Sequence, residues 1–211
     1  LSLALYVLPM VFQQKAEIYQ ISRQWTIGIS ILLIFLTLLG FVLVAKRAGV
    51  LSQSGKIFQK GDGKRITLSL LGMLLLSVLG TTLLRWIHGE VTTANQASLM
   101  EEFQRGNALL FPIMLGVLAP IAEEIIFRGI IPLKIFKDYE GWGYIVGGLL
   151  FALFHGPTNI MSFVIYGGSS VILTLLAYRT RRLEASIAVH MLNNGLPAIL
   201  MLLIAIFGVE V

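Results

Sequence analysis

The amino-acid sequence predicts an all-α fold: a polytopic transmembrane bundle of about seven helices. Of the 211 residues, 56% are hydrophobic and only 13% are charged, about half the charged share of soluble domains. The mean hydropathy is +0.85. Several runs of about 20 residues carry no charge, which is the length that a helix needs to cross the hydrocarbon core.

The predicted helices follow these runs in order. The first four are residues 1–12, 26–45, 66–84 and 107–136. The chain does not begin with Met, so we expect the first run to be the remainder of a longer helix. Four charged residues interrupt the fourth run: Glu123, Glu124, Arg128 and Lys134.

The second half of the chain predicts three more helices. Residues 141–178 contain no Asp, Glu, Lys or Arg, but 38 residues are too many for one span. The residues Gly-Pro-Thr-Asn at 156–159 supply a break, so we expect two helices joined by a tight turn. Residues 185–209 form the last helix, with a bend expected at Gly195 and Pro197. Gly143 and Gly147 form a GxxxG pattern that permits close helix packing.

The charges of the loops predict the orientation of the bundle. Eleven of the 16 Lys and Arg residues fall in three loops, at 46–65, 134–140 and 179–184. Alternate loops lie on the same side of a membrane, and basic loops favour the cytoplasm. We therefore expect all three loops to be cytoplasmic. The net charge of +5 then reflects contact with anionic lipid and does not indicate nucleic acid.

Cysteine usage limits the possible chemistry, because the chain has no Cys. Disulfides, thiolate metal sites and a cysteine nucleophile are excluded. We expect a single integral membrane domain over residues 1–211, and no oligomeric state follows from the sequence.

Ionisable groups within an apolar run indicate a functional site, because a charge at the helix centre costs about 2.5–3.5 kcal/mol on insertion scales. Glu124 and Arg128 are four residues apart, so they share one helix face and can pair. Glu123 is rotated by about 100° from Glu124 and is free to act as a general base. The alternative is a structural ion cluster that holds two helices together.

Two further motifs place polar groups at a similar depth. His155 ends the run before the 156–159 break, and His190 and Asn194 share a face of the last helix. At about 1.5 Å per residue, these groups and Glu123 lie roughly 10–20 Å from the cytoplasmic ends of their helices. We therefore expect them to line one cavity. A single His in an apolar helix is more often a packing residue, and we give His88, at a helix end, no role.

This set of groups favours hydrolysis by water. The serines lack a GxSxG context, so Glu123 is expected to take a proton from a water that His155 orients. His190 and Asn194 would donate hydrogen bonds to the oxyanion that forms when the water attacks a peptide carbonyl. Glu124 and Arg128 would hold Glu123 in place. We also expect the rings of Phe127 and Phe151 to contact the substrate.

The ordered motifs EExxxR, FxxxH and HxxxN, within residues 120–197, resemble those of the CPBP family. This family comprises the type II CAAX prenyl endopeptidases and their bacterial Abi relatives. The resemblance implies an intramembrane endopeptidase of the glutamate type with Glu123, His155, His190 and Asn194 as catalytic residues, Glu124 and Arg128 as supporting residues, and no metal cofactor. It also implies about eight helices and a site open to the cytosol.

The short loops and the lack of an extra domain are typical of a bacterial protein, so we expect a bacterial cytoplasmic membrane. The expected partners are a peptide or membrane-protein substrate and the lipid bilayer. Bacterial relatives are associated with bacteriocin self-immunity or peptide processing.

Three other interpretations stay open. Glu123, His155 and His190 could bind zinc and leave one position for water, although HExxH is absent. The chain could be a binding or immunity protein without turnover. A proton-coupled transporter could use the same groups as a relay, although no internal symmetry is visible.

Overall fold

The computed structural model describes residues 8–51, 59–105 and 108–208. This part of the chain forms eight helices and no strand, so the predicted all-α class is confirmed. The helices are α1 (Leu8–Ile18), α2 (Arg23–Ala48), α3 (Asp62–His88), α4 (Ala94–Arg105), α5 (111–135), α6 (Glu140–Phe154), α7 (Ile160–Thr180) and α8 (Leu183–Phe207).

Four of these helices, α2, α3, α7 and α8, are long and apolar enough to cross a membrane. Their outward faces carry large apolar side chains, such as Leu32 at 53% exposure, Leu75 at 59% and Leu203 at 44%. A soluble protein does not leave so much contiguous apolar surface in water. The fold is therefore that of an integral membrane protein, with these faces toward lipid.

Two helices differ from the sequence prediction. Helix α1 extends to Ile18, beyond the expected end at residue 12, and residues 1–7 of that run lie outside the described residues. Helix α4 falls within a segment that we expected to be a loop. Its charged residues, among them Glu101 and Glu102, interrupt any apolar run, so the hydropathy of the sequence gives no sign of it.

The described parts of the three basic loops lie at one end of the bundle, as their alternation predicts. Arg182, between α7 and α8, lies 2.5 Å from Asp62 at the start of α3. Arg181 pairs with Glu140 at the start of α6. We call this the basic end. The opposite end includes α4 and the turn between α6 and α7, where Asn159 donates to Glu90 at 3.0 Å.

Glycines allow α5 to approach its neighbours closely. A Cβ on Gly143 of α6 would lie 2.5 Å from the Cα of Pro132, so the GxxxG face packs directly on α5. A Cβ on Gly116 of α5 would lie 2.8 Å from the Cα of Gly195 of α8. Helix α8 is continuous through Gly195, and this contact brings the polar residues of α5 and α8 together.

Helix α5 is irregular on both sides of its carboxylates. The turns at Met114–Leu118 and Ile125–Ile135 are π-helical, whereas Ala119–Glu124 between them is α-helical. Wide π turns occur often at functional sites. Because Glu123 and Glu124 lie in the α-helical part, they point in directions about 100° apart, as predicted.

The predicted break between α6 and α7 is confirmed. Helix α6 ends at Phe154, and Gly156 has a φ of +58°, a conformation that glycine adopts at little cost. Asn159 then caps α7, accepting a hydrogen bond from the Ser162 backbone N–H at 2.8 Å. Ser162 in turn accepts from the Asn159 N–H at 3.1 Å, which completes a capping box.

Candidate active site

Side chains from three helices meet between α5, α6 and α8. The Oε2 atom of Glu123 lies 4.0 Å from Nε2 of His155 and 3.8 Å from Nε2 of His190. All three side chains are largely buried, with 7%, 14% and 3% of their surfaces exposed. The three side chains that the sequence predicts at similar depth in the membrane therefore face one another.

The ring of His155 has one nitrogen fixed by the backbone. Its Nδ1 lies 2.8 Å from the carbonyl oxygen of Phe151. A carbonyl can only accept a hydrogen bond, so Nδ1 carries the proton. In the neutral ring, Nε2 then presents a lone pair toward Glu123.

The ring of His190 is fixed by a carboxylate. Its Nδ1 lies 3.0 Å from Oε1 of Glu124, and the same oxygen lies 3.0 Å from Nη1 of Arg128. Glu124 and Arg128 are fully buried. We expected this pair to hold Glu123; the structure shows that Glu124 contacts both Arg128 and His190, because the 100° rotation directs Glu124 toward α8, and the support of Glu123 by the pair stays a prediction.

Asn194 lies one turn beyond His190 on the same face of α8. Its Nδ2 is 3.3 Å from Nε2 of His190, and its Oδ1 accepts from the side chain of Asn193 at 3.0 Å. A neutral His190 that donates from Nδ1 to Glu124 accepts at Nε2. Asn194 is therefore a hydrogen-bond donor on this side of the cavity, and a neutral His190 is not, contrary to our expectation.

Two hydrogen-bond acceptors without a donor therefore converge, Oε2 of Glu123 and Nε2 of His155, beside Nε2 of His190, which accepts from Asn194. The Glu123 oxygen is buried and has no hydrogen-bond partner among the described residues. An unpaired buried carboxylate oxygen is costly, and a group with two protons to donate would relieve it. A water about 2.8 Å from two of these atoms fits the separations of 3.8 and 4.0 Å.

Arg128 is held on its other side by α7 and α6. It donates to Oγ of Ser170 at 2.9 Å and to Oγ1 of Thr174 at 3.3 Å. Its guanidinium also lies 4.1 Å from the ring centroid of Phe151, a cation–π contact. Sequence reasoning missed both hydroxyl residues, because nothing local distinguishes them from other Ser and Thr residues in helices.

The two phenylalanines that we expected to contact substrate are buried. Phe151 is 2% exposed and Phe127 is 4% exposed, and their ring centroids are 5.6 Å apart at an angle of 86°. Phe151 also contacts the ring of His190. These contacts give both rings a packing role that supports the site, and their contact with substrate stays a prediction.

The zinc interpretation has one feature in its favour, since the Nδ1 atoms of both imidazoles bond to oxygen acceptors, as in histidines that bind metals. A tetrahedral zinc site with bonds of about 2.0–2.1 Å would bring its ligand atoms closer together than the 3.8 and 4.0 Å found here. Among the described residues, no group of three or more His, Cys, Asp or Glu side chains is arranged to hold a metal ion.

A buried layer lies between this cluster and the basic end. It contains Arg128 and Ser186 at 0% exposure and Leu183 at 2%. His155 and Asn194 are partly exposed and lie farther from that end. A site opening to the cytosol, which the family resemblance implies, stays a prediction.

The fold and this cluster define a helical membrane protein with a site of carboxylate, imidazole and amide groups between its helices. Residues 105–196 match the model of the Rce1-like family, described as type II CAAX prenyl endopeptidases. That segment contains every residue expected in the site, and over it the chain is similar to this family. The resemblance carried by the three motifs is thus confirmed.

Three curated relatives are similar to the chain. UPF0177 protein YvdC of Lactococcus lactis is 30% identical over 164 residues, covering 77% of this chain and 61% of the relative. UPF0177 protein YaiH of the same organism is 36% identical over 113 residues, covering 51% and 47%. The membrane-embedded CAAX protease MroQ of Staphylococcus aureus is 32% identical over 101 residues, covering 44% and 40%.

The chain thus spans between 40% and 61% of the length of these relatives. No solved structure matches it.

Proposed function

We propose that the protein is an intramembrane endopeptidase in which Glu123 and His155 activate a water molecule. The observation that carries the proposal is the unpaired, buried Oε2 of Glu123, with the Nε2 atoms of His155 and His190 within 4.0 Å. The Rce1-like match over residues 105–196 supports the same activity. So does the similarity to a relative described as a membrane-embedded CAAX protease.

The proposed reaction uses the acceptors in sequence. A water donates one hydrogen to Glu123 and the other to His155, and its oxygen attacks the carbonyl carbon of a peptide bond. Glu123 takes one proton as the new C–O bond forms, and the carbonyl electrons move to the oxyanion. The tetrahedral intermediate collapses when the C–N bond breaks, and Glu123 passes its proton to the leaving amine. The hydroxyl stays on the new carboxyl group.

The oxyanion requires donors, and we assign this role to Nδ2 of Asn194, whose amide carries two N–H groups. His190 lies beside it, and its Nδ1 contacts Oε1 of Glu124 at 3.0 Å. Glu124, which contacts Arg128 at 3.0 Å, fixes the orientation of the His190 ring, as the acid of a catalytic triad does.

For localisation we propose a bacterial cytoplasmic membrane with the basic end toward the cytoplasm. The substrate class that we propose is a peptide or membrane protein that presents an extended segment to the bilayer interior. Bacteriocin self-immunity and peptide processing are roles that only the family resemblance supports.

The test is comparative proteomics of membranes from cells that carry the wild type, Glu123→Gln or Glu17→Gln. Glu17 is an exposed glutamate of α1 and serves as the matched control. We expect a substrate and product pair that forms with the wild type and Glu17→Gln but not with Glu123→Gln. If no peptide depends on Glu123 while Glu123→Ala keeps the biological phenotype, the protein is a binding or immunity protein without turnover.

Treatment with a chelator distinguishes zinc-dependent hydrolysis from hydrolysis by a water that Glu123 and His155 activate. Exhaustive treatment with 1,10-phenanthroline should leave cleavage of the Glu123-dependent peptide unchanged. If chelation abolishes cleavage and zinc alone restores it, a bound metal ion activates the water instead of Glu123 and His155.

A further inference from the structure

The ring of His155 lies between two aromatic rings. Its centroid is 4.5 Å from that of Phe151 and 4.6 Å from that of Tyr166, and the Tyr166 ring is nearly parallel to it, at 26°. Phe151 precedes His155 by one turn of α6, whereas Tyr166 comes from α7. His155 itself is the first residue after α6 and precedes the turn at Gly156. Its orientation therefore depends on side-chain contacts more than on a helical backbone.

Two kinds of contact determine where Nε2 of His155 points. The hydrogen bond from Nδ1 to the Phe151 carbonyl, 2.8 Å long, fixes one point on the ring. Stacking on Tyr166 fixes the plane of the ring. Both are needed to direct the Nε2 lone pair toward Oε2 of Glu123, 4.0 Å away.

Tyr166 is in turn held by the segment that leads into α4, at the end of the bundle opposite the basic end. Its hydroxyl forms a hydrogen bond with the side chain of Thr93, which is 4% exposed. Oγ1 of Thr93 also accepts from the backbone N–H of Gln96 at 3.2 Å, so Thr93 caps helix α4. The nearby bond from Asn159 to Glu90, 3.0 Å long, ties the same segment to the start of α7.

We propose that Tyr166 is a positioning residue for His155 and that Thr93 holds Tyr166 through its hydroxyl. The Thr93 cap of α4 thus sets the direction of the water-orienting nitrogen. This inference rests on the proposed function, because it assigns a task to the contact of Tyr166 with a catalytic His155. Neither Tyr166 nor Thr93 belongs to the three sequence motifs, and they are 73 residues apart.

The test compares substitutions that remove the ring or only the hydroxyl. Tyr166→Leu should lower kcat for the Glu123-dependent peptide about 100-fold with little change in KM, the effect expected of a misplaced catalytic group. Tyr166→Phe should lower kcat by a smaller factor, and Thr93→Val by no more than that, because the Tyr166 hydroxyl also has a hydrogen bond with the side chain of Asn95. The double variant should be no worse than Tyr166→Phe alone, because Thr93 acts through the Tyr166 hydroxyl. The control is Tyr178→Leu, on the same helix as Tyr166, which removes a ring contact with Tyr144 of α6 without reaching His155.

A chemical readout does not require the substrate. Diethyl pyrocarbonate modifies unprotonated imidazole nitrogens, and mass spectrometry of the purified full chain reports the rate at each His. Loss of the stacked ring increases the population in which His155 is displaced. Its rate should therefore rise about fivefold or more in Tyr166→Leu, measured against exposed His88 as an internal reference. In Tyr178→Leu it should match the wild type.

The outcomes separate the two claims. Equal kcat and equal His155 modification in Tyr166→Leu and Tyr178→Leu would overturn the positioning role while leaving the protease proposal standing. Faster His155 modification together with unchanged kcat would also overturn it, because the ring would then only pack. If Glu123→Gln retains cleavage, the proposed function itself fails, whatever the Tyr166 variants do.

Discussion

Glu124 and His190 are joined by a contact of 3.0 Å between Oε1 and Nδ1, and the same oxygen lies 3.0 Å from Nη1 of Arg128. This buried carboxylate oxygen thus contacts one residue of α5 and one of α8, and it fixes which nitrogen of His190 faces the cavity. Two adjacent glutamates, separated by one rotation of about 100°, have different environments: Oε1 of Glu124 pairs with Arg128 and His190, whereas Oε2 of Glu123 faces the Nε2 atoms of His155 and His190. This difference is the basis for assigning support to one and chemistry to the other.

Glu124→Ala should destabilise the protein strongly, because it leaves the fully buried Arg128 without its anionic partner. Breaking a buried pair from one side costs about 3–5 kcal/mol. The measurement is the unfolding midpoint in detergent by intrinsic fluorescence. Glu140→Ala is the control, since its pair with Arg181 is largely exposed and should contribute about 1 kcal/mol or less. Equal losses for the two variants would contradict the role of Glu124.

Gly116→Val should lower both stability and activity, because its Cβ would lie 2.8 Å from the Cα of Gly195. Backbone cannot move aside as a flexible side chain can, so α5 and α8 must separate, at a cost of about 1–3 kcal/mol. Separation also moves Glu123 away from His190. Gly40→Val is the matched control, because a Cβ there meets nothing within 4 Å. A Gly116→Val protein with the wild-type unfolding midpoint and cleavage rate would contradict the close contact of α5 with α8 at Gly116 and Gly195.

The chain has no cysteine, so single cysteines report the topology without further changes. Lys137→Cys lies at the basic end and Val91→Cys at the opposite end, and both positions are exposed. With a maleimide that cannot cross the membrane, intact cells should label Val91→Cys, and only opened cells should label Lys137→Cys. The reverse pattern would contradict the cytoplasmic assignment of the basic loops.

Much of the fold could be predicted because its causes are local. Residues 26–45 and 66–84 are uncharged, and both runs form the centres of longer helices, which extend through charged ends to Arg23 and Asp62. Helix α4 could not be predicted from hydropathy, since its sequence is polar and it is held by contacts such as the Thr93 cap.

The candidate site could be predicted as a set of residues but not as a geometry. The motifs and their depths indicated that Glu123, His155 and His190 face one cavity. They did not indicate that Glu124 contacts His190, which depends on how α8 packs against α5. The partners of Arg128 and His155 on α7, Ser170 and Tyr166, are distant in sequence and follow no periodic pattern, so only the packed structure identifies them.

The role of Glu123 as general base is tested by the cleavage rate of purified Glu123→Gln protein in liposomes, with the Glu123-dependent peptide as substrate. Removing a general base should lower kcat by at least about 100-fold, with Glu17→Gln at the wild-type rate. Because Oε2 of Glu123 has no hydrogen-bond partner among the described residues and Gln has nearly the same shape as Glu, the unfolding midpoint should stay close to that of the wild type. A Glu123→Gln protein that cleaves at the wild-type rate would rule out Glu123 as the general base.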